Sequence, residues 1–377
     1  MKLKKKNSVN HQAGFTLVEI MVGMVVGLLV TLVIVQAMSV FEGQRRSTSG
    51  TSDAQTNGGI ALYNIGRELQ FAGYSLMPAG KAGQADSPLE CTTVTPDAAA
   101  ETTGMSVAAN EENISPVTIT NGGVSDAITI RYGDSLSGGI PTPIKSTATG
   151  LAIPVTNNLG CRNNDLVVII NGATCTLNKL AAAGLTGIDT VNLKAGETVP
   201  AIVPGVTNLS CLGNWHTVTY AANPAGNLER QDLATTPVDA ATPLPGFVEN
   251  TAGIVNIQAQ YGVSATAGSN QINQWVDATG AWATPSVADR NRIKAVRIAV
   301  VARNPKIEPN AVTAACDAAT NTGLCAWRDV PEGGAIAFDS PAPLINLADD
   351  ADWTRYRYRV YETIIPLRNM IWSKDTL

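Results

Sequence analysis

Charge is scarce in this chain: only 15% of its 377 residues are Asp, Glu, Lys or Arg. Aromatic residues make up 5%, and histidine occurs twice, at His11 and His216. Two histidines cannot supply a histidine-rich metal centre or proton relay. The net charge of −5 argues against a broad nucleic-acid surface. Enzyme signatures are missing as well. There is no His-Glu-x-x-His, no Gly-x-x-x-x-Gly-Lys-Ser/Thr phosphate loop and no Gly-x-Ser-x-Gly. No catalytic residue, cofactor or metal is therefore expected. The acidic cluster Asp349, Asp350 and Asp352 lacks EF-hand spacing and reads as a solvated turn, with calcium as the competing reading.

What the chain does have stands at its start. Lys2, Lys4, Lys5 and Lys6 precede Gly14-Phe15-Thr16-Leu17-Val18-Glu19, and an apolar run follows to Val40. As a helix, Phe15 to Val40 would be ~39 Å long, enough to cross a hydrocarbon core of ~30 Å. The run outlasts the ~7–15 apolar residues of a secretory signal, and no clear Ala-x-Ala box ends it. The lysines favour a cytoplasmic leading end, and Arg45 and Arg46 on the far side oppose this only mildly. Glu19 is the one charged residue between Phe15 and Val40. A carboxylate in hydrocarbon costs several kcal/mol unless paired, so Glu19 marks a functional site rather than a plain anchor.

Lysines, Gly-Phe-Thr-Leu-Val-Glu and a long apolar run, in that order, resemble the leader and mature start of type IV pilins and pseudopilins. The resemblance implies a leader, residues 1–14, cut by a prepilin peptidase after Gly14. It implies methylation of the new amino terminus, Phe15. It also implies that Glu19 pairs with the amino terminus of a neighbouring subunit. The physics agrees, because one such pair removes two unpaired charges from lipid. Losing the leader would remove four lysines, bringing the side-chain charge from −5 to −9.

Beyond the anchor, 15–40, the apolar periodicity returns at Leu62, Ile65 and Leu69. It predicts an amphipathic helix from about Asn57 to Phe71, within a segment 41–77. Residues 47–58, rich in Ser, Thr, Gly and Asn, form a weak stretch between the two helical runs, with one continuous helix through it as the alternative. Gly23 and Gly27 permit a close helix approach. Gly73 and Pro78 end the second helix. Residues 78–377 then read as a strand-rich head with long loops, at 79–126 and 305–340 among others. Strands are predicted at 127–133, 166–170, 215–220, 253–263, 293–301 and along 353–369. Asn171-Gly172 marks a hairpin turn leading to Cys175. Residues 221–246 read as a solvated connection, 264–280 as a polar linker holding Trp275, and His216 as a structural histidine with no evident partner.

Six cysteines, all beyond the anchor, favour disulfides in an exported region. Six allow fifteen full pairings, so sequence alone fixes none. Cys316 and Cys325 are close enough for a local staple. Cys161 and Cys175, which bracket one apolar run, are a candidate pair, and Cys91 with Cys211 would then complete the set. Zinc is the competing reading, and the short Cys-x-x-Cys hooks it needs are absent.

Several blocks are similar to the PilW family of large minor pilins. They are Gly66-Arg67-Glu68-Leu69-Gln70-Phe71-Ala72-Gly73-Tyr74, the run from Cys161 to Cys175, the strand ending Tyr261-Gly262, and Thr363 to Asn369. The resemblance implies an α+β pilin-like fold, with an antiparallel sheet packed on the second half of the long helix. It implies a non-enzymatic assembly subunit, anchored in the inner membrane of a Gram-negative bacterium with its head in the periplasm. Its expected partners are other minor pilins, the major pilin, the prepilin peptidase and the inner-membrane assembly machinery. It would initiate pilus assembly and stand at the pilus tip. A type II secretion pseudopilin, a tip adhesin and a membrane-tethered enzyme are the competing functions.

Overall fold

The computed structural model describes residues 14–76, 87–96, 114–234, 246–317, 322–327, 337–338 and 345–371. The first thirteen residues of the predicted leader lie outside them, as do parts of the loops at 79–126 and 305–340. The chain divides into two compact units, at Ser52 and Asp53.

The first helix, α1 (Leu17–Leu69), runs unbroken through the stretch predicted to be weak. Hydroxyls in and near that stretch turn back onto their own helix. Thr48 donates to the Gln44 carbonyl at 2.9 Å and Thr51 to the Ser47 carbonyl at 2.8 Å. Earlier in the helix, Thr31 and Ser39 do the same to Leu28 and Gln36, which satisfies their hydroxyls within the helix. Every residue from Gly14 to Glu42 is exposed. A Cβ added to Gly23 or Gly27 would meet nothing within 4 Å, so no contact among the described residues accounts for either glycine.

The head follows as strands β1 (Thr93–Pro96), β2 (Val117–Thr120), β3 (Ala127–Gly133), β4 (Thr142–Pro143), β5 (Ala152–Pro154), β6 (Leu166–Asn171), β7 (Thr174–Thr186), β8 (Thr190–Leu193), β9 (Asn208–Gly213), β10 (Trp215–Ala222), β11 (Asn227–Ala234), β12 (Val248–Ala252), β13 (Ile254–Ser264), β14 (Ile272–Val276), β15 (Ile293–Arg303), β16 (Ala337–Phe338) and β17 (Tyr358–Pro366). Short helices α2 (Val287–Arg290) and α3 (Arg368–Ile371) complete the elements used below. The strands make three sheets. One has the order β4-β9-β6-β7-β8-β5 with β1 beside β7, the second is β12-β11-β10-β3-β2, and the third is β16-β14-β13-β15-β17. Pairing is antiparallel except for β1 with β7 and β14 with β16.

The predicted strands are present, although the last begins only at Tyr358 after a helical turn at Trp353–Arg355 and ends at Pro366, and the continuous apolar run of β6 has a clear cause. Leu166, Val168 and Ile170 enter the main core, while Val167 and Ile169 enter a second core on the opposite face. A strand covered on both faces has no reason to alternate. Two predictions are corrected. Residues 227–234 of the supposed solvated connection form β11, paired along β10. The polar linker after β13 contains β14, whose Trp275 is buried. In both, polar residues on strands hid the alternation.

Candidate functional site

The amino-terminal site is built on a helix start. Thr16 is the N-cap and Glu19 the third helical residue, the spacing of a capping box. The Glu19 N–H donates to Thr16 Oγ1 at 3.3 Å. In return Glu19 Oε2 accepts from the Thr16 N–H at 3.0 Å and from Thr16 Oγ1 at 3.1 Å. Glu19 Oε1 has no hydrogen bond among the described residues. The first main-chain helical bond runs from the Ile20 N–H to the Thr16 carbonyl at 3.3 Å. The Gly14–Phe15 bond thus lies just outside the cap, in non-helical chain, with Phe15 83% exposed. A cut there would leave a helix that keeps its cap and carries its new amine one residue before it. Sequence reasoning singled out Gly14, Phe15 and Glu19 but missed Thr16; the Thr-x-x-Glu signature was the available signal.

Within the head unit, one face of α1 is buried at Ala54, Gly58, Ala61, Ile65, Glu68 and Leu69, steps of three, four and one that follow the helical period. The strand β17 lies along it. The Tyr361 ring packs where a Cβ on Gly58 would stand, and the Ile365 methyl lies 3.5 Å from that position on Gly66. Eight helical residues rise ~12 Å and four strand residues ~13 Å, so helix and strand stay in step across this span. At the helix end Gly73 takes φ 75°, and its N–H reaches the Arg131 carbonyl at 2.9 Å. The Asn369 amide donates to the Ala72 carbonyl at 3.0 Å. The chain's last described turn therefore closes the first helix.

A charged chain ties the same helix to the second sheet. Arg230 Nη2 bonds Glu68 Oε1 at 2.6 Å and Asp232 Oδ2 at 2.8 Å. Asp232 Oδ1 lies 3.3 Å from His216 Nδ1, and the imidazole stacks on Tyr132 at 4.9 Å between centroids. His216 thus has two partners, correcting the expectation of none. Burial works against charge on both Arg230 and Asp232. Their mutual contact, with Glu68 and His216, outweighs it, raising the arginine and lowering the aspartate. Glu68 is buried and Arg230 partly exposed, so removing one partner costs less than the ~3–5 kcal/mol of a fully buried pair.

All six cysteines form disulfides, but two of the three expected pairs are wrong. Cys316 pairs with Cys325 as expected. Cys91 pairs with Cys175 and Cys161 with Cys211. The sheet explains why. Cys91 and Cys175 lie in the main core, whereas Cys161 and Cys211 lie in the second core across the sheet. A Cys161–Cys175 bridge would have to pass through the sheet. Strand β1, hidden in an apparent loop, runs beside β7 with Val94 opposite Cys175 and brings Cys91 close.

Near the carboxyl end, the acidic run is shared among arginines. Asp350 pairs with Arg303 at 2.9 Å and Asp352 with Arg355 at 2.9 Å. Among the described residues, no group of three or more His, Cys, Asp or Glu converges as a metal site would.

Comparison with known proteins adds two family matches. Residues 222–369 match the family described as Type IV Pilus-assembly protein W, PilW, and residues 9–35 match the prokaryotic N-terminal methylation motif. No curated protein matches the chain. Among solved structures, a type IV-like pilin from Thermus thermophilus is similar at 10% identity and TM-score 0.35, covering 84% of this chain and 96% of that one.

Proposed function

We propose that this chain is a PilW-family type IV minor pilin that initiates pilus assembly within an inner-membrane complex of minor pilins, as the matches over residues 222–369 and 9–35 support. It is made as a prepilin and cut between Gly14 and Phe15 by the prepilin peptidase. The peptidase then methylates the Phe15 amine. The anchor holds the subunit in the inner membrane with its head in the periplasm. The head ends up at the pilus tip, since its three sheets are bulky for a repeating shaft. The chain itself catalyses no reaction.

One observation carries this reading: Glu19 divides its carboxylate. Oε2 serves the helix cap, while Oε1 has no bond among the described residues. That oxygen can accept from the methylated Phe15 amine of a neighbouring subunit without uncapping the helix. In lipid such a pair offsets two desolvation costs together.

The test is cross-linking of the tagged chain in native membranes, followed by identification of the captured subunits. Other minor pilins and the major pilin are expected. Capture of secretion pseudopilins in their place would overturn the pilus assignment.

A further inference from the structure

A cleft of about 680 Å³ opens in the head, beside the end of β15. Its walls come from distant parts of the sequence: the β10–β11 turn at Asn223 and Gly226, the turn at Ser125, and the segment from Asn346 to Tyr358. Small-molecule sites occupy roughly 300–1,000 Å³, so the size is suitable. Nothing in the assembly reading uses this cleft.

The cleft is built around an arginine that is already engaged. Arg303 Nη1 bonds Asp350 Oδ2 at 2.9 Å, and the guanidinium lies 4.7 Å from the Tyr356 ring centroid. Gly226 has φ +82°, and a Cβ there would come within 3.1 Å of Arg303 Nη2 and of a Val255 methyl. Glycine thus lets the hairpin turn close on the arginine.

Four other groups lining the cleft keep their hydrogen-bonding capacity. The Asp349 carboxylate, the Asn346 amide nitrogen and the hydroxyls of Tyr356 and Tyr358 make no hydrogen bond among the described residues. They include acceptors and donors, beside two aromatic rings. The ligand's chemistry follows by exclusion. Asp350 balances Arg303, so Asp349 is the unpaired charge and repels an anion. Calcium would take about 6–8 oxygens, whereas Asp350 and Asp352 are held by arginines. What remains is a neutral molecule whose hydroxyls both donate and accept, and whose C–H face can lie on a ring. We infer that the cleft binds a neutral saccharide. Asp349 accepts from sugar hydroxyls, Asn346 donates to one, and the tyrosines supply the apolar contact and further hydroxyl partners.

The experiment uses the full chain in phospholipid nanodiscs, because a sugar-headed detergent would compete. Saturation-transfer NMR is run with glucose, galactose, mannose, N-acetylglucosamine and lactose, and separately with calcium and inorganic phosphate as competitors. At least one saccharide should show transfer, and neither ion should displace it. Its Kd should rise at least tenfold in Asp349→Ala and in Asn346→Ala. Asp349 is exposed and unbonded, so that variant should keep the wild-type Tm. Absence of transfer to all five sugars, unchanged Kd in Asp349→Ala, or displacement by calcium or phosphate would each overturn the assignment. Partner capture from membranes is a separate readout, so failure here leaves the assembly reading standing.

Discussion

Substituting alanine at two adjacent helix glycines should have clearly different effects. Gly59 has nothing within 4 Å of a Cβ position, so Gly59→Ala gains only helix propensity, about 1 kcal/mol. Gly58→Ala gains the same amount but drives its Cβ into Tyr361 Cδ2 and Cε2. Carbon atoms pack best at ~3.5–4.0 Å, so the ring must move by more than an ångström. Overpacking of this kind costs ~1–3 kcal/mol. Gly58→Ala should therefore be neutral to about 2 kcal/mol destabilising, and should sit about 1–3 kcal/mol below Gly59→Ala. Adding Tyr361→Ala to Gly58→Ala removes the clash and should show strong coupling between the two sites. Urea unfolding of the full chain, followed by tryptophan fluorescence, reads this out. All six tryptophans lie beyond Ser52, so the signal reports the head. If Gly58→Ala stabilises as much as Gly59→Ala, the packing of β17 on α1 is wrong.

Two further perturbations separate charge from structure. Glu19→Gln keeps an oxygen for the Thr16 cap but loses the charge, while Glu19→Ala loses both. Each should insert and be cleaved, and each should fail to enter the pilus; normal piliation with Gln would reduce Glu19 to a capping role. Burial raises the Asp126 carboxyl to about 6, against bonds from the Ala259 and Gly122 N–H groups. Because the folded value lies above the unfolded one, its contribution is full below pH ~4 and is lost as pH rises through ~6. Asp126→Asn should therefore be the more stable protein at pH 8, by about 1–3 kcal/mol, and the two should converge near pH 4. A gap that is constant across pH in urea titrations would refute the assigned cause.

The anchor, the helix face at Ile65 and Leu69, and six strands were legible because hydrophobic period is a local property. The continuity of α1 was left open, since the Ser, Thr and Gly of 47–58 have poor propensity and their back-bonds to carbonyls appear only once the helix exists. Strand β11 was hidden by Glu229, Arg230, Gln231 and Asp232. That strand supplies the partners of Glu68 and His216, so both escaped notice. The disulfides failed for a topological reason. Proximity in sequence suggested Cys161 with Cys175, but which face of the sheet a cysteine occupies decides its partner. Thr16 was readable and overlooked. The cleft at Arg303 was not readable, because its walls meet only when three separate turns come together.

The central claim is that this is a prepilin whose assembly helix begins at Phe15. Intact-mass and amino-terminal peptide analysis of the chain purified from membranes tests it most directly, with Gly14→Leu beside the wild type. The account predicts a wild-type chain starting at Phe15 and carrying one amino-terminal methyl group, and a Gly14→Leu chain that keeps its leader. A wild-type chain that retains residues 1–14, or a Gly14→Leu chain cut normally, would contradict it.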